Sequence, residues 1–170
     1  MFPVEGCRMV RLGEADVPAL QALHERCHVF LELIYGQSPQ PDAAAQLLVE
    51  LPEGKGLEDK FLLGLYPSSE GPMAGVLEVI RDFPERDEWF IGFLMLEPAQ
   101  RNAGLGSRLI DALEGWVRGQ RATGLRVIVQ EQNPGALRFW QRRGYAITGT
   151  AQQRAHGREN TVVRMRKALV

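Results

Sequence analysis

The sequence lacks the features that mark several large classes of protein. Its 170 residues include only two cysteines, Cys7 and Cys27, with no metal-ligand spacing, which excludes a disulfide framework or a zinc motif. No apolar run approaches the roughly 20 residues that cross a bilayer, and the first residues lack the charged and apolar regions of a signal peptide. With 45% apolar and 24% charged residues, we expect a soluble, cytoplasmic protein that folds as a single domain over residues 1–170.

The net charge of −1 hides an unequal distribution of charge along the chain. Residues 1–97 carry 17 Asp or Glu against 7 Lys or Arg, whereas residues 98–170 carry 4 against 13. The basic half suits a polyanionic ligand and the acidic half would attract a cationic one, although two solvated faces would give the same counts. The basic residues are dispersed and no basic motif with interleaved aromatics is present, so we expect neither a nucleic-acid nor a membrane partner.

A glycine motif stands between an apolar run and an amphipathic helical pattern, at residues 94–106. Gly104 and Gly106 let the backbone approach a ligand closely, and the helix that follows offers unpaired N–H groups and a positive dipole end. The motif therefore predicts a phosphate cradle, with Arg101 beside it. A dinucleotide-binding loop would need a third glycine at Leu109, and a P-loop would need Gly-Lys-Ser/Thr, so neither applies. An ordinary strand-to-helix turn is the alternative.

Hydrophobic periodicity and turn residues predict about seven strands and about four helices. The apolar, aromatic segment at residues 30–35 is assigned to neither class, and a polar loop containing His156 and Gly157 joins the last two strands, which we expect to be antiparallel. The strands are expected over residues 8–12, 60–66, 73–81, 89–96, 125–129, 145–150 and 161–167; the helices over residues 15–27, 42–51 and 104–118, with a short one between Pro134 and Gly144.

This order of elements predicts an α/β fold, a mixed sheet flanked by helices. The helix between the fourth and fifth strands forms a βαβ crossover, so those two strands should be parallel. Ligands of such sheets collect where parallel strands part.

A second motif, at residues 133–145, follows the glycine motif after one helix and one strand. With both motifs in this order, the sequence resembles the GCN5-related N-acetyltransferase (GNAT) superfamily. Residues 101–106 match its Gln/Arg-x-x-Gly-x-Gly/Ala motif. The later Asn-x-x-Ala…aromatic…Gly-Phe/Tyr pattern is matched by Asn133, Ala136, Phe139, Gly144 and Tyr145. The resemblance covers essentially the whole chain by topology and is sharpest over residues 89–145. It implies a GNAT-like sheet whose fourth and fifth strands splay at a cofactor site.

The resemblance implies acetyl-CoA as co-substrate and no metal. Leu94 and Leu96 would present main-chain groups to the thioester and the pantetheine arm, and the Leu94 N–H would stabilise the developing oxyanion. Arg101 would assist backbone amides that hold the pyrophosphate, those of Asn102, Ala103, Gly104, Leu105, Gly106 and Ser107.

Two residues of the second motif have competing interpretations. Asn133 would contact the pantetheine arm or cap the helix that begins at Pro134, and both roles can hold together. Trp140 stands where many relatives have a tyrosine that protonates the leaving thiolate, but an indole cannot transfer a proton near neutral pH. No side-chain acid is therefore assigned, and Trp140 is interpreted as cofactor wall or core packing. A thiolate is a tolerable leaving group without one, since a free thiol has a pKa of about 8.5.

The acceptor side has weaker signals. Some relatives carry a basic glutamate on the strand before the cradle, where this chain has Phe90 and its neighbours. Glu78, on the preceding strand, is a weak candidate for the base because alternation places it on the face of Val76 and Ile80; a solvated charge is the alternative. Phe30 and Tyr35, with Glu78, are the candidate acceptor-binding residues.

A metal site is not expected. His24 and His28 are spaced i and i+4, but spacing places no third ligand beside them.

The sequence thus predicts an acetyl-CoA-dependent N-acetyltransferase that acts on a primary amine of a small molecule or peptide by direct attack in a ternary complex. The acidic first half suggests a cationic acceptor such as a polyamine, an aminoglycoside or a lysine side chain. The alternatives are a non-catalytic acyl-CoA-binding sensor or structural module, a hydroxyl acceptor, or a longer acyl group. An exposed edge strand could support a homodimer.

Overall fold

Seven strands form one mixed sheet with the spatial order β1-β2-β3-β4-β5-β7-β6 in the computed structural model, which describes residues 2–68, 70–155 and 157–169. All neighbouring strands are antiparallel except β4 and β5, which are parallel as predicted. The edges are β1 and β6, and a homodimer through either edge stays a prediction. The loop residue His156 lies outside the described residues. The strands are β1 (Cys7–Arg11), β2 (Lys60–Pro67), β3 (Gly75–Ile80), β4 (Glu88–Leu96), β5 (Gly124–Gln130), β6 (Ala146–Ala155) and β7 (Arg158–Ala168).

Within the part of the chain that the structure describes, five α-helices flank the sheet where four were expected. They are α1 (Val17–Arg26), α2 (His28–Tyr35), α3 (Ala43–Val49), α4 (Leu105–Gly119) and α5 (Pro134–Arg142). The helix that the sequence did not predict is α2, which follows α1 after Cys27 alone and ends at Gly36 in the left-handed conformation. It buries Leu31 and Ile34 but exposes apolar neighbours, so apolar residues lie on both its buried and its exposed side. The sequence therefore lacks the apolar and polar faces that mark an amphipathic helix.

The sheet separates two hydrophobic cores. The apolar side of α4, which includes Leu109 and Leu113, packs against one face of the sheet, where it meets Leu77 and Val79 of β3. Helices α1, α2 and α3 cover the other face, where Val76 lies. The period-two alternation of strand side chains explains this division along β3.

A bulge in β4 sets the geometry of the site. Glu78 pairs with Phe93 and Val79 with Ile91, so Gly92 is an extra residue without a partner on β3. As a result Ile91 faces the α4 core, whereas Phe93 faces the helices α1 to α3.

Strands β4 and β5 part at this bulge. Their pairing runs from Glu88 opposite Gly124 to Ile91 opposite Val127, and no pair beyond Ile91 occurs among the described residues. From there β4 pairs only with β3, and β5 continues only with β7. A gap therefore opens between residues 92–96 and residues 128–130, which confirms the predicted splay.

A buried ion-pair cluster holds the closed end of this gap. The Glu88 carboxylate accepts hydrogen bonds from Arg126 Nε at 2.9 Å and from Arg166 Nη2 at 2.5 Å, which ties β4 to β5 and β7. Desolvation opposes ionisation, but the two guanidinium groups prevail and hold the pKa of Glu88 below its usual value. The strands are thus tied together where the gap closes.

Within residues 2–68, 70–155 and 157–169, we find no helix with the length and apolar character needed to cross a membrane.

Candidate active site

Backbone groups of β4 line the gap. Leu94 pairs with Leu77 of β3, and Glu97 N, directly after the end of β4, donates to Ala74 O at 2.9 Å. Hydrogen-bonded and non-hydrogen-bonded pairs alternate in an antiparallel ladder, so the N–H and C=O groups of Leu94 and Leu96 point away from β3. They point to the side where β5 has parted from β4. The backbone of Leu94 is therefore directed into the gap.

The loop before α4 continues from this gap and has the conformation of an anion cradle. Asn102 and Gly104 both have positive φ, of 63° and 78°. No side chain among the described residues caps α4, and its first helical hydrogen bond runs from Arg108 N to Gly104 O. The N–H groups of Leu105, Gly106 and Ser107 precede that bond and remain available to a ligand.

Two arginines approach the cradle in different ways. Arg101 Nε donates to Leu96 O at 2.9 Å, which joins the cradle to the end of β4. Arg108 Nη1 donates to Ala103 O at 3.2 Å, so its guanidinium lies over the loop. The sequence did not single out Arg108 because it is one of several polar residues on an amphipathic helix; its position one turn after the glycines was the available signal.

Aromatic packing beside the cradle involves Phe139 more than Trp140. A Cβ added to Gly106 would lie 3.5 Å from Leu96 Cδ1 and 3.5 Å from the Phe139 ring, so these side chains close over that glycine. Trp140 is buried in the α4 core, where its ring packs 4.8 Å from that of Tyr145. Of its two interpretations, the structure favours core packing, and a role of Trp140 in cofactor binding stays a prediction.

Asn133 caps the helix that follows β5. Its Oδ1 accepts a hydrogen bond from Ala136 N at 3.2 Å, at the first turn of α5. The cap is thus confirmed, and the amide nitrogen of Asn133 is the group left for the predicted contact with the pantetheine arm.

Glu78 is held in a buried ion pair and is not a solvated charge. Its Oε1 lies 2.5 Å from Lys60 Nζ, which also donates to the backbone oxygens of Leu47 and Glu50 near the end of α3. Burial raises the pKa of the Glu78 carboxyl, and the Lys60 ammonium opposes that rise. A carboxylate tied to a lysine in this way is a poor candidate for a general base.

The candidate acceptor residues of α2 face the α1 to α3 core. The Phe30 ring lies 6.2 Å from that of Phe93 on β4. Tyr35 borders a cavity under α2, and burial, with Glu50 and Glu78 nearby, raises its pKa to about 12. Tyr35 is therefore a neutral hydroxyl at physiological pH.

Polar side chains tie α2 to the far side of the gap. Buried Asn160 of β7 donates from Nδ2 to Ile34 O at 2.9 Å, and Gln132 Nε2 donates to Asn160 Oδ1 at 2.8 Å and to Leu33 O at 3.2 Å. The two contacts to α2 join residues 99 and 126 positions apart, so local sequence patterns carried no sign of them. They fix α2 against β7 and the segment that follows β5.

No group of three His, Cys, Asp or Glu side chains that could hold a metal ion occurs in the part of the chain that the structure describes. His24 is buried and His28 is exposed. The absence of a metal from the reaction stays a prediction.

A family model described as the acetyltransferase (GNAT) family matches residues 17–145. The chain therefore belongs to the GNAT family and is an N-acetyltransferase by class. Among curated protein sequences, none matches this chain at a significant level.

Solved structures agree with this fold. An acetyltransferase from Thermus thermophilus is 19% identical, with a TM-score of 0.75 over 99% of this chain and 100% of that one. Spermidine N-acetyltransferase from Vibrio cholerae, in complex with CoA and spermine, is 15% identical, with a TM-score of 0.73 over 96% of each chain. An N-acetyltransferase from Staphylococcus aureus is 14% identical, with a TM-score of 0.71 over 96% of this chain and 99% of that one. At these identities the likeness concerns the fold.

Proposed function

We propose that residues 1–170 form a single cytoplasmic domain that transfers an acetyl group from acetyl-CoA to a primary amine by direct attack in a ternary complex. The observation that carries the proposal is the gap beside Leu94, whose backbone groups point into it, continuous with an uncapped helix N-terminus. When bound, acetyl-CoA would supply the acetyl group as a thioester. The amine nitrogen forms the new C–N bond and gives up a proton, while the C–S bond breaks and CoA leaves as the thiolate, which takes up a proton to give the free thiol.

The cradle fits a diphosphate. The backbone N–H groups of residues 102–107 would hold it, helped by the positive end of the α4 dipole. Arg108, with its guanidinium over the loop, adds the charge, while Arg101 positions the loop through Leu96 O. Asn133 would donate its amide N–H to the pantetheine arm.

The Leu94 N–H is the proposed catalytic group. It would donate a hydrogen bond to the carbonyl oxygen as negative charge develops there, from a strand that β3 holds in place. Loss of such a donor costs about 3 to 4 kcal/mol of transition-state stabilisation. A fixed backbone donor needs no reorganisation during the reaction.

We propose that water accepts the proton of the amine. Glu78 is engaged by Lys60 and Trp140 is buried without an ionisable proton, so neither provides acid-base catalysis. The rate then depends on the fraction of amine that is unprotonated. We therefore expect kcat/KM to rise about tenfold per pH unit until the pH reaches the pKa of the amine, about 10.

Two measurements test the proposal. Acetyl-CoA at about 100 times its Kd should stabilise the protein by about 2.7 kcal/mol, a rise in Tm of several degrees. A panel of primary amines should then give steady release of the free CoA thiol that depends on the amine. Stabilisation by acetyl-CoA with no turnover across the panel would support a non-catalytic acyl-CoA-binding module instead, and no stabilisation would overturn both.

A further inference from the structure

A small cavity lies between α1, α2 and α3, on the face of the sheet opposite α4. Its volume is about 40 Å³, which is room for about three waters. Half of the lining residues are apolar or aromatic, including Leu31, Leu47 and Phe93. The other half are polar, and one of them, Glu50, lies at the exposed rim.

His24 of α1 lines this cavity and is 3% exposed. Neither ring nitrogen has a hydrogen-bond partner among the described residues. In a buried imidazole both nitrogens normally have hydrogen-bond partners, because leaving a buried polar atom unpaired costs more free energy than an average hydrogen bond contributes to stability. Burial lowers the pKa of His24 to about 4, so the ring is neutral at physiological pH, with one donor and one acceptor.

The rim of the cavity is held in place. Gln21 of α1 donates to Gln40 O at 2.9 Å and accepts from Ala44 N at 3.1 Å, which fixes the segment between α2 and α3. The cavity is therefore built by the fold rather than left by a loose loop.

The cavity and the proposed reacting position share strand β4. Phe93 lines it and is followed directly by Leu94, so the two α-carbons are about 3.8 Å apart. An acceptor whose amine is held at Leu94 would have to pass the Phe93 side chain for its far end to enter the cavity.

The charges around the cavity decide which group its deep end can take. The Lys60 ammonium is used by Glu78 and two backbone oxygens, and Glu50 is at the rim. A second ammonium at the deep end would be desolvated against apolar walls and a neutral imidazole, which is costly. A neutral hydroxyl or amide would lose far less and could pair with His24.

We propose that this cavity selects the acceptor, and that it takes a primary amine whose short apolar chain ends in a neutral hydrogen-bonding group bound by His24. The proposal rests on the proposed acetyl transfer for the amine end only. The composition of the chain suggested cationic acceptors in general, and the cavity restricts this class to amino alcohols and amino amides.

The test compares three amines of nearly equal size, 5-amino-1-pentanol, hexylamine and 1,5-diaminopentane. We expect kcat/KM for the amino alcohol to exceed that for either other amine by about tenfold or more. His24→Phe should remove this preference by lowering kcat/KM for the amino alcohol, with hexylamine and the KM for acetyl-CoA little changed. His28→Phe, at an exposed position one turn away, should keep it.

Binding is measured separately by NMR of the histidine rings in the wild-type protein with CoA, with His24→Phe assigning the His24 signals. These signals should move on titration with 5-amino-1-pentanol and far less with hexylamine. Amine-dependent CoA release without any movement of the His24 signals, or with the preference retained in His24→Phe, would overturn the cavity assignment and leave the proposed function standing. Movement of the signals without turnover of any amine would support the cavity and overturn the proposed function.

Discussion

Lys60 Nζ lies 2.5 Å from Glu78 Oε1 in the interior of the protein, where β2 and β3 meet the end of α3. The lysine is 3% exposed and also donates to two backbone oxygens. This pair gives the carboxylate a structural role.

Removal of the Glu78 charge should therefore reduce stability and leave the acid-base behaviour of the reaction intact. In Glu78→Gln the Lys60 ammonium stays buried without its counter-ion, and the free energy of unfolding should fall by about 3 kcal/mol. The pH profile of kcat/KM, measured where the variant is folded, should match that of the wild type. The double variant Lys60→Met/Glu78→Leu should recover most of the stability. A large fall in kcat/KM together with loss of the acidic limb of the profile in Glu78→Gln would show that this residue is the base.

Gly104 is needed for its backbone conformation. With φ at 78°, an added side chain is strained, and Gly104→Ala should lower stability by about 1 kcal/mol and weaken acetyl-CoA binding. Gly115 lies within α4 and has open space around an added Cβ. Gly115→Ala should therefore leave acetyl-CoA binding unchanged and slightly raise stability. Chemical denaturation and calorimetric titration compare the two variants. Equal acetyl-CoA affinity in both would contradict the cradle.

Arg108 should contribute charge to phosphate binding. Arg108→Gln removes the guanidinium over Ala103 O and should weaken acetyl-CoA binding about tenfold at low salt, with a smaller effect as screening increases. Arg121→Gln is a matched loss of charge just beyond the other end of α4 and should change affinity less than twofold. If both variants bind alike, the charge of Arg108 has no local role.

His24 should make stability depend on pH. Because its folded pKa is lowered from 6.5 to about 4, the unfolded chain binds a proton that the folded chain does not between these values. The free energy of unfolding should thus rise with pH across this window, by about 3 kcal/mol, and level off above it. His24→Phe should lack this component, seen as a smaller difference between unfolding at pH 5 and pH 8. If the free energy of unfolding changes with pH to the same extent in the wild type and in His24→Phe, the lowered pKa of His24 is contradicted.

Much of this fold could be predicted because its signals are local. The glycines at 104 and 106 mark the turn into α4, and Asn133 before Pro134 marks the start of α5. The crossover between β4 and β5 then required those strands to be parallel. The proposed site residues that act through their backbone were predicted from the same local signals.

What the sequence missed depends on irregular or long-range geometry. Trp89, Ile91, Phe93 and Met95 alternate as if they shared one face, but the extra residue Gly92 sends the last two to the other face. That bulge is also where β4 leaves β5, so the shape of the site depends on it. The pairing of Lys60 with Glu78 likewise requires two strands to be placed side by side before it exists.

The central claim is that the Leu94 N–H stabilises the charge that develops during acetyl transfer, and replacement of that N–H by an ester oxygen tests it most directly. The N–H points away from β3, so an α-hydroxy acid analogue of leucine at position 94 removes the donor without breaking the β3–β4 ladder. A matched ester at Phe93, whose N–H faces β3, controls for local destabilisation. We predict that kcat falls about a hundredfold or more for the ester at 94, with acetyl-CoA affinity unchanged and the Phe93 ester near wild type. A kcat within twofold of wild type for the ester at 94 would contradict the account.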